Sequence, residues 1–187
     1  PAHAAAVCCI DLVDLPGSGG RRALSGDAAG ALVWWDAKRQ AAVAHVARAH
    51  DGPVHGVALH RDGSGALSAG ADGELKTWSH MGSPLHSLAA HGGAPLSAVR
   101  LGVGAAAALA LTAGWDGAVK VWKTDGWEDA ERLSTGGKPA RCADAAWAPA
   151  GTRFATASFD GTVAVWGDSR SGGDGVPAGL SGVKAIY

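Results

Sequence analysis

Residues 68–78, Ser-Ala-Gly-Ala-Asp-Gly-Glu-Leu-Lys-Thr-Trp, are the clearest copy of a pattern that occurs four times in the chain. The copies end at Trp35, Trp78, Trp122 and Trp166, which are separated by 43, 44 and 44 residues. A constant period of this length indicates a repeat architecture, in which each copy forms one supersecondary unit and buries its apolar faces against its neighbours.

The second copy predicts one small antiparallel sheet. Val54, Val57 and Leu59 form an apolar first strand, and residues 66–69 form a second. The Asp-Gly turn after them leads into residues 74–78, where polar and apolar side chains alternate as in a half-buried strand. A fourth strand is predicted around residues 85–89. The other copies follow the same plan, so the chain is predicted to be all-β.

On these residues, the chain resembles the WD40 repeat family of β-propellers. The resemblance implies four four-stranded antiparallel blades in an open arc of a roughly seven-bladed ring, and therefore a fragment of a larger propeller protein. A tight four-bladed ring is the structural alternative. The expected boundaries are 1–49 for the first blade, 50–90 for the second, 91–135 for the third, 136–179 for the fourth, and 180–187 for the first strand of a truncated fifth blade.

In that family a buried polar relay joins a His before the first strand, a Ser or Thr on the second, the Asp of the tight turn and the Trp indole. Buried polar groups of this kind must satisfy one another. By resemblance, the relay positions are occupied by His50, Ser68, Asp72 and Trp78 in the second copy, by His91, Thr112, Asp116 and Trp122 in the third, and by Thr156, Asp160 and Trp166 in the fourth.

The two outer copies depart from this set. The first has His3, Ser25 and Trp35 but Ala29 at the Asp position, and the fourth has Gly136-Gly137 where the His is expected. We therefore expect the first and fourth blades to be the less stable ones. Trp34, next to Trp35 on a strand, should face the opposite way.

Catalysis and cofactor binding are not expected. Ser, His and Asp recur copy after copy, as structural residues do, and no CxxC or HExxH spacing indicates a metal site. The formal net charge is -1, so no basic surface favours nucleic acid. No apolar run approaches the length of a membrane span. The predicted protein has no enzyme activity, cofactor, metal, nucleic-acid partner or membrane partner.

Protein partners are the expected ligands. By resemblance, partners contact the residue before the turn Asp and the residues that flank the first apolar residue of strand one. These positions include Trp115, Phe159, Arg141 and His55, and the first three predict an aromatic and arginine patch. The alternative for Trp115 is that it packs on the neighbouring blade.

The leading hypothesis is a non-catalytic protein–protein interaction scaffold, a propeller subunit of a multiprotein assembly. One alternative is a substrate receptor of a cullin-RING ubiquitin ligase, suggested by Trp35-Asp36-Ala37-Lys38. Another is the propeller part of a larger multidomain protein. Cys8, Cys9 and Cys142 do not form a disulfide framework, which favours the cytoplasm or another reducing intracellular compartment.

Overall fold

The computed structural model describes residues 2–17, 20–134, 140–167 and 184–185. Their regular structure is almost entirely β, with a single 3-10 turn at Gly104–Ala106 among them. They form four antiparallel sheets of four strands each, with strands that follow one another in the chain lying side by side. The prediction of an all-β chain with four four-stranded antiparallel blades is therefore confirmed.

The chain divides into two compact units, Pro1–Val99 and Arg100–Tyr187. The first unit holds the first two sheets. The strands of the first sheet are β1 (Val7–Asp14), β2 (Arg21–Asp27), β3 (Leu32–Asp36) and β4 (Ala41–Val46). Those of the second sheet are β5 (Val54–Leu59), β6 (Gly65–Gly70), β7 (Glu74–Ser79) and β8 (Pro84–Ala89).

The core of the first unit lies between its two sheets, where β5 packs across β1 and β2. Trp34 is fully buried there, and its ring meets that of Trp78 edge to face with centroids 6.0 Å apart. Edge-to-face contact is a favoured geometry for an aromatic pair. The remaining buried members of this core are Leu24, Leu32, Ala49, Val54, Val57, Leu59 and Ala66.

The third and fourth sheets repeat the plan of the first two. The strands of the third are β9 (Leu96–Leu101), β10 (Leu109–Gly114), β11 (Ala118–Lys123) and β12 (Glu128–Ser134). Those of the fourth are β13 (Cys142–Trp147), β14 (Phe154–Ser158), β15 (Val163–Trp166) and β16 (Lys184–Ala185). In the second unit Phe154 stacks on Trp166 and meets Trp147 edge to face, which forms the aromatic part of the core.

The end of the chain differs from the expectation of a fifth-blade strand over 180–187. Its two described residues, Lys184 and Ala185, pair with Val165 and Ala164 and complete the fourth sheet as its last strand. The sequence of this segment resembles the start of a repeat. In the structure, however, Lys184 and Ala185 form backbone hydrogen bonds with the edge of β15, whose N–H and C=O groups need partners. The rest of 180–187 lies outside the described residues.

Candidate functional site

The second blade brings all four expected relay residues together. Ser68 lies at the centre, because the Trp78 indole N–H donates to its Oγ at 2.8 Å and His50 Nε2 lies 2.6 Å from the same oxygen. The other ring nitrogen, His50 Nδ1, donates to the Asp72 carboxylate at 2.9 Å. The four groups satisfy one another, with the Ser68 hydroxyl as the hub.

The charge state of this relay follows from its burial. Desolvation lowers the pKa of His50 below its usual value, and the hydrogen bond that His50 donates to Asp72 offsets only part of that effect. Burial opposes ionisation of Asp72, but its bonds from His50, Glu74 N and Asp51 N outweigh the burial and lower its pKa. Near neutral pH the relay therefore holds a neutral imidazole and an ionised carboxylate.

Ser68, His50 and Asp72 do not have the arrangement of a Ser-His-Asp hydrolytic site. Ser68 is completely buried, and its oxygen already accepts the hydrogen bond of the Trp78 indole. A catalytic serine must present its oxygen to a substrate and be activated for attack by its base. The geometry is that of a structural network inside the sheet.

The first blade also has a complete relay, which the sequence argument missed. His3 Nε2 lies 2.6 Å from Ser25 Oγ, and the Trp35 indole N–H donates to that oxygen at 2.8 Å. Asp27 supplies the carboxylate, with its Oδ2 2.9 Å from His3 Nδ1. The expectation that Ala29 leaves this blade without its acid was wrong, because Asp27 reaches the same imidazole from a different backbone position.

The position of Asp27 explains how it can do so. It lies two residues after Ser25 at the end of β2, where the second blade has Gly70 two residues after Ser68. A Cβ added to Gly70 would collide with His50 Nδ1 and the Asp72 carboxylate. That position therefore points straight at the histidine, and it can carry the acid when the turn position holds only Ala29.

Asp27 also organises the turn that follows it. Its Oδ1 accepts hydrogen bonds from Ala29 N and Ala31 N, both at 2.9 Å. Burial opposes ionisation, but these bonds and His3 together lower the pKa of Asp27. The sequence signal that could have revealed this role is an acid two residues after the relay serine in the one copy that lacks the turn Asp.

The third and fourth copies keep the Trp-to-hydroxyl bond. Trp122 Nε1 donates to Thr112 Oγ1 at 2.8 Å, and Trp166 Nε1 donates to Thr156 Oγ1 at 3.1 Å. The carboxylates lie in their tight turns, where Asp116 accepts from Ala118 N and Asp160 accepts from Thr162 N and Oγ1. His91 is buried just before β9. The missing histidine of the fourth copy falls at 136–137, outside the described residues.

Three of the four candidate binding residues lie together in the second unit. The Arg141 guanidinium carbon sits 4.3 Å from the centre of the Trp115 ring, which is a cation–π contact. The Arg141 carbonyl accepts hydrogen bonds from Phe159 N at 3.0 Å and from Ser158 Oγ at 3.3 Å. Phe159 itself is 71% exposed and Trp115 36% exposed. We call Trp115, Arg141 and Phe159 the aromatic–arginine patch.

His55 has a different environment. It falls within a register shift of β5 between Val54 and Gly56, and such irregularities re-aim side chains near strand ends. Its ring nitrogen Nδ1 lies 2.7 Å from the Leu96 carbonyl, and the side chain is half-buried. In this structure His55 ties β5 to the start of β9 within the first unit.

Local structure also accounts for the motif Trp35-Asp36-Ala37-Lys38. Trp35 serves the relay of its blade, and Asp36 Oδ1 accepts from Lys38 N at 3.1 Å and from Arg39 N at 3.0 Å. A short acidic side chain that caps backbone N–H groups in this way is typical of a hairpin turn. Trp35 and Asp36 of the motif therefore both have structural roles.

Two polar contacts between sheets were not indicated by the repeat pattern. Asp11 Oδ2 on β1 accepts from Leu59 N on β5 at 2.8 Å, which joins the first and second sheets. Arg100 on β9 donates to Asp144 on β13 at 2.7 Å in the second unit. Neither pair recurs at the repeat period, so a single sequence carries no periodic signal for them.

Among the described residues, no group of three or more His, Cys, Asp and Glu side chains is arranged to hold a metal ion. No helix in that part of the chain has the length and apolarity needed to cross a bilayer.

Comparison with known families agrees with this architecture. Residues 43–79, 82–123 and 133–167 match the family model described as WD domain, G-beta repeat. The chain belongs to the WD40 repeat family. WD40 repeats generally mediate protein–protein interactions, and proteins built from them are generally non-catalytic scaffolds. A comparison with curated proteins found no match.

Proposed function

We propose that this protein is a non-catalytic scaffold subunit of a multiprotein assembly, and that it binds a partner protein through the aromatic–arginine patch. The observation that carries the proposal is the stacking of Arg141 on Trp115 beside Phe159, a large apolar side chain with 71% of its surface exposed. Trp and Arg are enriched at the energetic centres of protein interfaces.

The patch has a rigid base, which supports a role in binding. The backbone of Arg141 is fixed by Phe159 N and Ser158 Oγ, and the next residue, Cys142, is completely buried. Stacking on Trp115 restricts the long arginine side chain before any partner arrives. Part of the entropy cost of binding is therefore met in the free protein.

Packing is the competing explanation for Trp115, and the exposure of Phe159 argues against it for the patch as a whole. A residue that serves only to fill the space between blades should be covered, as Trp34 is in the first unit. Large exposed apolar side chains cost solubility, and they commonly mark a binding surface.

A reducing intracellular compartment belongs to the same proposal. Cys8, Cys9 and Cys142 are in no disulfide bond among the described residues, and burial with the nearby Asp116 and Asp160 raises the pKa of Cys142 to about 11. A thiol with so high a pKa is unreactive near neutral pH. Cys142 fits a structural use of cysteine, which is the common case in reducing compartments.

Affinity capture with quantitative mass spectrometry tests the scaffold function. Wild-type protein, Phe159→Ser, Trp115→Ala and the control Met81→Ser are used as baits at equal concentration. Met81 is an exposed apolar residue in the other unit, so it controls for general stickiness. Circular dichroism and thermal melting establish that each bait is folded.

The proposal expects a defined set of proteins that wild type and Met81→Ser retain and that both patch variants lose by about tenfold or more. Photo-crosslinking from position 159 should recover the same proteins. Retention of that set by Phe159→Ser and Trp115→Ala would remove the patch from the proposed function.

A further inference from the structure

One face of the Arg141 guanidinium group is occupied, and its edges have no ion-pair partner among the residues that the structure describes. The face lies on the Trp115 ring, 4.3 Å from its centre. Among the described residues, no carboxylate forms an ion pair with Arg141. A stacked arginine still has N–H donors around the edge of its plane, and two of them match the oxygens of a carboxylate.

The acids nearest to this surface are engaged in their own turns. Asp116 accepts from Ala118 N, and Asp160 accepts from Thr162 N and Thr162 Oγ1. They stay close enough to raise the pKa of Cys142, the residue next to Arg141. Among the described residues, this surface therefore combines Arg141, which has no ion-pair partner there, with the carboxylates of Asp116 and Asp160.

This balance selects among anionic partners. A dianionic phosphate doubles its attraction to Arg141 and also its repulsion from Asp116 and Asp160, and two acids act against one arginine. A single carboxylate carries half of that charge and still makes the bidentate contact with the arginine edge. Phe159 is joined to Arg141 by a backbone hydrogen bond and adds an exposed apolar surface. A ligand that carries only a charged group would leave this surface in contact with water.

We infer that the aromatic–arginine patch binds a protein segment in which an Asp or Glu lies next to a large apolar side chain. The carboxylate accepts hydrogen bonds from the outer edge of Arg141, and the apolar side chain covers Phe159. The inference rests on the proposed function, since it names the chemistry of the partner that the same patch would bind.

Synthetic peptides provide the probe. Four fluorescein-labelled decapeptides share a Gly-Ser scaffold and differ at two central positions, which are Glu-Leu, Gln-Leu, Lys-Leu or phosphoserine-Leu. Fluorescence anisotropy measures their dissociation constants with wild-type protein, Arg141→Gln, Arg141→Glu, Phe159→Ser and the control Arg39→Glu. Arg39 is exposed on a turn of the first unit, so its reversal changes net charge equally without touching the patch.

The expected order for wild type is Glu-Leu tightest, with Gln-Leu and Lys-Leu weaker by about tenfold or more. Phosphoserine-Leu should bind no more tightly than Glu-Leu. Arg141→Gln should remove the preference for Glu-Leu, and Arg141→Glu should reverse it in favour of Lys-Leu. Arg39→Glu should bind as wild type does after a correction for salt dependence.

The outcomes separate this inference from the proposed function. Equal binding of Glu-Leu and Gln-Leu, tighter binding of phosphoserine-Leu, or an unchanged order in Arg141→Glu overturns the acidic-partner inference. If the captured proteins still depend on Phe159 in that case, the scaffold function stands without it. If none of the peptides binds and the captured set ignores Phe159 as well, both proposals fail.

Discussion

The first and second blades share one repeat, but their first strands differ in exposure. Val7, Ile10 and Leu12 on β1 pair with Asp27, Ser25 and Ala23 on β2. On β5 the equivalent side chains pair in the same register with Gly70, Ser68 and Ala66. Ile10 is 70% exposed, whereas its counterpart Val57 is 4% exposed.

The difference shows where burial in this fold comes from. β5 is covered because the first blade packs on it, and Val57 belongs to the core between the two sheets. β1 has the same apolar pattern and the same pairing within its own sheet, but its outer face is open in the structure. A blade cannot bury both of its faces alone, so packing between blades decides what each side chain contributes.

The first and second blades also differ in the position of the relay carboxylate, and the largest effect on stability is expected there. Asp27→Gly should lower the free energy of unfolding by about 2–4 kcal/mol, because it leaves His3 and two turn N–H groups without their acceptor. Asp27→Gly combined with Ala29→Asp recreates the arrangement of the second blade and should recover most of the loss. Urea denaturation measures both.

Ala29→Asp alone is the control for this swap. No recovery in the double variant would mean that the first blade cannot accept the acid from the turn position, and that Asp27 has a role beyond the relay.

Paired truncations on the first strands test the packing difference. Val57→Ala should cost about 2 kcal/mol, since it removes two buried methyl groups and leaves a cavity. Ile10→Ala, although it removes more atoms, should cost less than about 0.5 kcal/mol. Denaturation of the two variants under one set of conditions gives the ratio of the two losses in the free energy of unfolding. Equal costs would show that β1 is covered in solution.

Two buried tryptophans of the first unit make a finer comparison. Trp78 Nε1 donates to Ser68, whereas Trp34 Nε1 is buried without a hydrogen-bond partner among the described residues. Trp78→Phe should therefore cost about 1–2 kcal/mol more than Trp34→Phe, which removes an unsatisfied donor. Thermal denaturation of the pair checks this. A larger loss for Trp34→Phe would point to an unseen partner for its indole.

The smallest expected effect is on pH dependence. The folded chain lowers the pKa of His50, so the unfolded state binds the proton more readily. Stability should fall as the pH drops from about 6.5 towards the lower pKa of the folded state. His60, whose pKa is also lowered by burial, contributes in the same direction.

His50→Gln should flatten this slope in part, because it removes a titrating group whose pKa the fold lowers. Stability measured at intervals between pH 7.5 and about 5 decides the matter. If the pH dependence of stability were unaltered in His50→Gln, groups other than His50 would be responsible for it.

The repeat pattern was sufficient for the fold because it depends on period, turn residues and strand alternation, all of which are local in the chain. The same local reasoning assigned Arg141 and Phe159 to one patch, and one backbone hydrogen bond joins them in the structure. That reasoning missed Asp27, because it considered only the turn position of each copy as the source of the carboxylate. The relay imidazole can be reached from two backbone positions, the turn position and the position two residues before it.

Other features depend on three-dimensional packing that no period encodes. The burial of Trp34 against Trp78 requires the second blade to cover the first. The bond from Leu59 N to Asp11 joins two residues that are 48 positions apart in the chain. The pairing of Lys184 with Val165 shows that an open strand edge can determine where a segment goes, whatever repeat position its residues resemble.

The acid of the first relay has a consequence for how this blade can change over generations. To move the carboxylate from position 27 to the turn position used by Asp72, two codons must change. If position 27 changes first, the imidazole of His3 loses its acceptor, and if Ala29 changes first, two carboxylates crowd one histidine. We expect each single step to give a less stable protein than the present one, which favours keeping the carboxylate at position 27.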